Sequence, residues 1–365
     1  MQTENIQLKK IKCSERVYCA IPLRLDCYSH CSLNCVYCYS KFAGSVMRKK
    51  NNSTNKISIK NQLIGKTTES LEFIEEMKNN NPIQVGVTTD PFQNEELKDN
   101  QTMRALYYLM KYKKKVFINT KGKALLDESY YNFISKNKDN IVLRISFSTF
   151  NKELSAKLEP NAATVEERKE IIKKFAKVGI KIIIRLEPFI FDYSFLDLEN
   201  SLSELKNYAV RLVTDALIVS ECAPNINKNL FKILQTTKSD FFKNKQGTGT
   251  RSKFGKLHIY DYDPFFLQAQ FKKLKAIVNK NNMLFGIGGY FGIEHTNLID
   301  GNYCCEVNDW NYNKYNFVSL TKNNPDEFEK IGKINIEEFY QNKNKDIEKK
   351  MNLYAMRMNK DYIRF

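Results

Sequence analysis

The sequence predicts an α/β fold: a partial (β/α)6 barrel of the TIM type with a C-terminal extension. Short apolar, β-branched runs alternate with segments whose apolar residues recur at helical spacing. About six such pairs fall between residues 18 and 290, and this alternation is typical of parallel strands joined by helices. The chain has 365 residues, of which 42% are hydrophobic and 12% aromatic, enough to fill the core of a large domain.

The strand predictions come from apolar runs that are bounded by polar or turn-forming residues. They are residues 18–26, 83–89, 116–120, 141–148, 181–187, 216–220 and 284–287, with the fifth ending at Pro188. In a parallel barrel the residues that follow the strands gather at one face, and active sites lie there. We therefore expect the functional side chains directly after these strands.

One helix has clear signals at both ends. Thr164 and Glu167 have the spacing of a capping box, which predicts the start of a helix. Ile172 and Phe175 then recur on one face, and Gly179 stands where the helix is expected to end.

The domain organisation follows from where the alternation begins, breaks and ends. We predict an N-terminal segment at 1–17, the barrel at 18–295 and a polar C-terminal extension at 296–365. Within the barrel, residues 237–256 hold six Lys or Arg and three Phe, which indicates a mobile basic loop or lid. Such a loop suits nucleic acid, because cations neutralise phosphates and aromatic rings stack on bases.

Charge and hydropathy narrow the class of protein further. The formal net charge is +17, which favours a polyanionic partner such as nucleic acid, a nucleotide or an anionic surface. Ordinary surface lysines remain the alternative explanation of this charge. The sequence contains no apolar run long enough for a membrane span and no signal-like N-terminus, so we expect a cytoplasmic protein without membrane association.

Four of the nine cysteines crowd into residues 27–38. Cys31, Cys35 and Cys38 have the spacing C-x3-C-x2-C and follow a predicted strand. Three thiolates on one tight loop can bind three irons of a [4Fe–4S] cluster and leave the fourth iron open. S-adenosylmethionine (SAM) can chelate that iron, and its reductive cleavage yields a 5′-deoxyadenosyl radical that abstracts hydrogen from carbon. The spacing therefore predicts an iron–sulfur site with radical chemistry.

Two other interpretations of the cysteines stay open. A structural zinc site needs four ligands, and Cys27 could supply the fourth, in which case the chain would be a zinc-stapled nucleic-acid-binding protein. The cysteines could also be ordinary buried thiols. Cys304 and Cys305 are adjacent, but an auxiliary iron–sulfur cluster needs more ligands than this pair and Cys222 offer.

Around the motif, the sequence resembles the spore photoproduct lyase-like branch of the radical SAM superfamily. Residues 35–39 (CVYCY) match its C-x-Y-C-Y run, and residues 87–91 (VTTDP) resemble its second-strand segment. Further matches are T-K at 120–121, a serine segment at 144–148, an L-E-P…R…G pattern at 158–179 and E-P at 187–188. The resemblance covers roughly residues 20–190, half of the chain.

The resemblance implies a cluster bound by Cys31, Cys35 and Cys38, and an electron donor such as flavodoxin or ferredoxin. It places at SAM the residues Tyr37, Thr89, Asp90, Lys121, Ser146, Ser148, Arg168 and Glu187. Tyr37 would lie near the adenine, and Lys121 and Ser146 near the methionine carboxylate or ribose. Arg168 would reach the carboxylate or support it through Glu159.

Ordinary roles are open for the same positions. Lys121 and Arg168 could be surface residues, Tyr37 a packing aromatic and Ser146 a small residue that lines the barrel. The burial and the hydrogen-bond partners of each side chain would distinguish these ordinary roles from a role at SAM.

One position departs from the branch. Spore photoproduct lyases carry a cysteine hydrogen donor just before the Thr-Asp step, where this sequence has Val87. The repair reaction itself is therefore not expected, and we hypothesise that Cys222, after the strand at 216–220, replaces that donor. The prediction is a radical SAM enzyme that acts on a nucleic acid or nucleotide derivative, with a peptide or small metabolite as the alternative substrate.

Overall fold

The computed structural model describes residues 11–13, 21, 23–41, 59–66, 73–74, 77, 81–220, 223–243, 251–254, 257–260, 262–288, 298–301 and 304–305. Within them the fold is α/β, which confirms the predicted class. The strands are β1 (Lys12–Cys13), β2 (Leu23–Leu25), β3 (Ile83–Val85), β4 (Val116–Thr120), β5 (Ile141–Phe147), β6 (Lys181–Phe189), β7 (Arg211–Ala216), β8 (Arg251–Phe254), β9 (Leu257–Tyr260) and β10 (Leu284–Ile287).

The described α-helices fall between and after these strands. They are α1 (Ile59–Leu63), α2 (Glu96–Asp99), α3 (Gln101–Lys111), α4 (Glu128–Lys136), α5 (Lys152–Leu158), α6 (Val165–Lys177), α7 (Asp192–Phe195), α8 (Leu198–Leu205), α9 (Pro224–Ile233), α10 (Lys238–Lys243) and α11 (Pro264–Lys280). None of these helices has both the length and the apolar character that a membrane span requires.

The main sheet has the strand order β1-β2-β3-β4-β5-β6-β7-β10. β1 is antiparallel to β2, and the other neighbouring pairs are parallel. The sheet therefore has seven parallel strands, one more than the six predicted units, and its described ends do not pair with each other. This is an open, partial barrel, as the sequence predicts.

Side chains along the strands alternate between two buried faces. On β5, Leu143 and Ile145 belong to the main core, whereas Val142 packs with Ile183 and Val213 in a second apolar cluster. Every residue of β4 and β5 is buried, because helices cover the outer face and the curved sheet encloses the inner one. Residues further along the inner face are polar, and they lead to the carboxyl edge of the sheet.

The predicted caps of α6 are confirmed. Thr164 Oγ1 accepts from the Glu167 backbone N–H at 3.2 Å, and Glu167 Oε2 accepts from the Thr164 backbone N–H at 2.7 Å. Gly179 follows the helix with φ of 88°, a left-handed conformation that favours glycine.

Two strands differ from their predictions. β7 is Arg211–Ala216 rather than 216–220, and Leu217 and Val219 are buried without belonging to a strand. A neighbouring segment contacts them, since Tyr262 Oη donates to Leu217 O at 2.7 Å. β6 also continues past Pro188, where the pairing register shifts and the missing proline N–H is tolerated.

The basic segment contains regular structure in its described part. α10 occupies residues 238–243. β8 and β9 pair as antiparallel strands at residues 251–254 and 257–260. Residues 244–250 and 255–256 fall outside the described residues. The rings of Phe241 and Phe242 are buried, so they are not available to stack on bases. The domain boundaries and the lid remain predictions.

Candidate active site

The three motif cysteines lie on a loop that follows the carboxyl end of β2, as predicted. The backbone N–H of Val36 donates to Leu158 O at 2.9 Å, at the end of α5. The backbone N–H of Ser32 donates to Gln93 Oε1 at 2.8 Å. Asn34 turns the loop with φ of 53°, a left-handed conformation that asparagine tolerates. The shape of the loop is thus held by contacts to neighbouring loops and helices.

The three thiols are free and sit at different depths. Cys35 is buried, whereas Cys31 and Cys38 are half-buried. Burial, with a smaller contribution from the Asp90 charge, raises the pKa of Cys31 to about 12. Burial, the Glu159 charge and the other two thiols also raise the pKa of Cys35. Coordination to cationic iron offsets this cost of ionisation, so the donor set fits an iron–sulfur cluster.

The described residues contain no group of three or more His, Cys, Asp or Glu side chains that could hold a single metal ion.

A buried charge network lies behind the cysteine loop. Tyr37 Oη donates to Glu159 Oε1, and Arg168 Nη1 lies 2.7 Å from Glu159 Oε2. Burial alone would raise the pKa of Glu159, but the charges of Arg168 and Lys121 outweigh it and hold that pKa below its usual value. Burial, and then the Glu159 charge, raises the pKa of Tyr37, which therefore stays a protonated donor.

Arg168 is fully engaged by protein groups. Its Nη1 donates to Ser146 O at 2.6 Å, its Nη2 donates to Ser155 Oγ at 2.8 Å, and its guanidinium lies 4.7 Å from the ring centre of Phe147. Its side chain is 1% exposed, so it is not a surface residue. Of the two roles that the resemblance implies, support through Glu159 fits these contacts.

Lys121 brings a positive charge to the edge of the site. It directly follows β4, and its Nζ donates to Glu187 O at 3.1 Å. The same Nζ lies 3.8 Å from Glu159 Oε1 and 5.7 Å from the ring centre of Tyr37. Its side chain is 13% exposed, so this ammonium is more accessible than the Arg168 guanidinium.

Thr89 and Asp90, which follow β3, form hydrogen bonds with residues at the ends of the neighbouring strands β2 and β4. The Asp90 carboxylate accepts from Thr120 Oγ1 and from the Lys121 backbone N–H, both at 2.6 Å. Burial raises the pKa of Asp90, although these hydrogen bonds oppose the shift. The backbone N–H of Thr89 donates to Asp26 Oδ1 at 3.0 Å. Both residues thus fix the position of the loops that surround the cysteines.

The remaining predicted SAM residues lie on β5 and β6. Ser146 and Ser148 are buried on and just after β5, and Glu187 pairs with Arg185 near the end of β6. The register aligns Ser146 with Arg185. The structure therefore brings Lys121, Ser146 and Glu187 to the carboxyl ends of three neighbouring strands, whereas Cys222 lies outside the described residues.

Asp26 is a residue of the site that the sequence did not predict. Its Oδ1 accepts from the backbone N–H groups of Val87, Thr88 and Thr89 at 2.9, 2.7 and 3.0 Å. It anchors the segment after β3, including Val87. An acidic residue directly after an apolar strand was the available signal.

A second unpredicted group lies on the inner face of the sheet. Arg144 donates from Nε to Asn119 Oδ1 at 2.5 Å and from Nη1 to Cys305 Sγ at 2.7 Å. Cys304 Sγ lies 3.7 Å from Cys305 Sγ. A hydrogen bond from Cys304 and the charge of Arg144 outweigh burial and lower the pKa of Cys305 to about 6. No local signal could reveal this contact, because Arg144 and Cys305 are 161 residues apart.

Comparison with known proteins gives similarities of fold. No protein-family model and no curated protein matches this sequence. Spore photoproduct lyase complexed with dinucleoside spore photoproduct is 14% identical, with 68% of this chain and 69% of that chain covered and a TM-score of 0.44. Streptococcus suis SuiB bound to precursor peptide SuiA is 16% identical, with 81% of this chain and 54% of that chain covered and a TM-score of 0.48.

A second SuiB structure, bound to S-adenosylmethionine, is 14% identical, covers 80% of this chain and 51% of that chain, and has a TM-score of 0.44. The chain thus spans about half the length of SuiB. At these values the likeness concerns the fold alone.

Proposed function

We propose that this protein is a radical SAM enzyme whose [4Fe–4S] cluster is held by Cys31, Cys35 and Cys38. The observation that carries the proposal is the position of these thiols at the carboxyl edge of an open parallel sheet, beside the ends of β4 to β6. Active sites of parallel barrels lie at that edge. Together, cluster and SAM would supply 5′-deoxyadenosyl radical chemistry, which removes a hydrogen atom from a substrate carbon.

The protein's own residues would bind and orient SAM. Lys121 is more exposed than Arg168 and lies beside the Tyr37 ring, so its ammonium suits the methionine carboxylate. Tyr37 offers an aromatic ring, which its hydrogen bond to Glu159 holds in place. Arg168 keeps Glu159 ionised beneath them, because it supplies the compensating buried charge. Ser146 and Glu187, on the next two strands, complete the proposed SAM-facing edge.

The substrate that we propose is a nucleic acid or a nucleotide derivative. The formal net charge of +17 supports a polyanionic substrate. A flavodoxin or ferredoxin would supply the electron. We also propose a cytoplasmic location, since free cluster-binding thiols persist in a reducing compartment.

Cluster content and SAM cleavage test the proposal together. After anaerobic reconstitution, wild type is expected to bind about four iron and four sulfide per chain and to form 5′-deoxyadenosine from SAM and reductant. Cys35→Ala should lose both properties. Cys27→Ala is the matched control, because it removes a thiol from the same segment that the cluster does not use. A colourless wild-type protein that makes no 5′-deoxyadenosine would overturn the proposal, and bound zinc that both variants lose equally would favour the four-cysteine zinc site.

A further inference from the structure

A basic cavity of about 660 Å³ lies between α9, the start of α10 and the end of β9. Lys228 and Lys232 line it from α9, Lys238 lines it from α10, and Tyr260 lines it from β9. We call it the α9 groove. Its volume is in the range of about 300–1,000 Å³ that is usual for sites of small molecules, so it has room for about one nucleotide.

Three lysines give the groove its positive charge. Lys228 and Lys232 are exposed and one helical turn apart, so their ammonium groups share one face of α9. Within the described part of the chain, none of the three lysines has a carboxylate within ion-pair distance. Lys238 Nζ instead donates to Tyr260 Oη and lies 4.0 Å from the ring centre. The lining of the groove thus has the charge that complements an anion.

The groove also holds one fixed aromatic ring. Tyr260 packs on Phe242 with ring centres 5.0 Å apart, and its backbone N–H donates to Val219 O at 3.0 Å. The ring is half-buried, in contrast to the buried rings of Phe241 and Phe242. A fixed, partly exposed ring beside lysines is suited to stack on a base whose phosphates contact the cations.

The groove is connected to the cysteine loop through one helix. α9 begins after residues 217–223, which leave the carboxyl end of β7, so it lies at the same edge of the sheet as the cysteines. α9 packs against α5, and Leu158 at the end of α5 accepts from the Val36 N–H in the cysteine loop. The groove helix and the cysteine loop thus both contact α5.

We propose that the α9 groove binds the sugar–phosphate backbone of single-stranded nucleic acid, with Lys228 and Lys232 on phosphates and Tyr260 on an unpaired base. The proposal rests on the proposed function, because it names the surface that delivers a nucleic-acid substrate to the cysteine loop. A single strand is specified because stacking on Tyr260 needs a base that is not paired in a duplex.

The test uses the full-length, reconstituted protein and a fluorescein-labelled oligothymidylate of about 12 nucleotides, a length within known single-strand site sizes. Fluorescence anisotropy gives Kd at several NaCl concentrations. Each phosphate contact with a single strand contributes about 0.7 to the slope of log K against log salt. Lys228→Gln with Lys232→Gln should therefore weaken binding about tenfold or more and lower the slope by about 1.4.

Lys111→Gln with Lys113→Gln is the matched control, because both lysines are exposed and the variant removes the same formal charge at the end of α3. Its binding should stay within about twofold of wild type. Tyr260→Leu should weaken binding about tenfold, whereas Tyr260→Phe keeps the ring and should bind like wild type. Iron content and circular dichroism establish that the groove variants are folded.

An unchanged Kd and slope in the Lys228/Lys232 variant would overturn the proposal. Equal competition by polyglutamate, together with no effect of Tyr260→Leu, would overturn it in favour of an acidic polypeptide. Formation of 5′-deoxyadenosine by wild type is measured on the same preparation. If wild type forms no 5′-deoxyadenosine, the proposed function is overturned. The anisotropy measurement would still show whether the α9 groove binds single-stranded nucleic acid.

Discussion

Glu159 is the residue at which the cysteine loop meets the rest of the barrel. It accepts from Tyr37, pairs with Arg168 at 2.7 Å and faces Lys121 at 3.8 Å. A buried carboxylate is costly unless charges and hydrogen bonds compensate it, and here two cations and a phenol do so. Removing one member of such a network leaves the opposite charge buried alone.

We expect Glu159→Gln to destabilise the protein by about 3–5 kcal/mol, because the Arg168 charge would be left without its buried partner. Thermal unfolding followed by circular dichroism measures the loss. Glu199→Gln is the control: Glu199 pairs with Lys280 at 2.5 Å on the surface, and exposed pairs contribute about 0–1 kcal/mol. Equal destabilisation by the two substitutions would contradict the buried network.

The stability difference between wild type and Glu159→Gln should also depend on pH. Folding lowers the pKa of Glu159, so the unfolded chain binds its proton first as pH falls. The advantage of wild type over Glu159→Gln should be fully present above the unfolded pKa of about 4.3 and should shrink as pH falls through the lower folded pKa.

Among the elements, those with local signals at both ends were predicted best. β4 at Val116–Thr120 and β10 at Leu284–Ile287 have the predicted bounds, and α6 has the predicted caps. Within the predicted strand 216–220, only residues 217–219 were wrong, because an apolar run indicates burial but not pairing. The sequence could locate the cysteines through their spacing. It could not show that Arg168 is buried, because its partners come from separate elements.

At the scale of the element, the capping box of α6 can be tested directly. Thr164→Ala should cost about 1 kcal/mol, because the Glu167 N–H loses its acceptor at the first turn. Thr164→Ser keeps an oxygen in the same place and should stay within a few tenths of a kcal/mol. Thermal unfolding gives the stability, and hydrogen exchange at Glu167 gives the local effect. Faster exchange in both variants would contradict the cap.

At the scale of the whole molecule, β10, at the edge of the main sheet, contacts the residues that follow it along the chain. The described residues after β10 turn back on it: Asp300 N–H donates to Phe285 O at 2.8 Å, and Cys305 joins the apolar cluster on the inner face. An open barrel leaves β10 as an edge strand, and covering the edge satisfies its polar groups. The returning segment also places Cys305 on Arg144, which ties the edge to the middle of the sheet.

This closure predicts different outcomes for two glycines of the same region. A Cβ at Gly286 would lie 2.4 Å from Cys304 O, a backbone atom, whereas a Cβ at Gly288 would meet its nearest atom at 3.4 Å. Gly286→Ala should therefore displace the segment that carries Cys305, and Gly288→Ala should not. Because Cys305 is only 6% exposed, we expect iodoacetamide to label it about tenfold faster in Gly286→Ala than in wild type, as measured by mass spectrometry. Gly288→Ala should label at the wild-type rate. Equal labelling in all three proteins would mean that the contact between β10 and Cys304 does not hold the inner face closed.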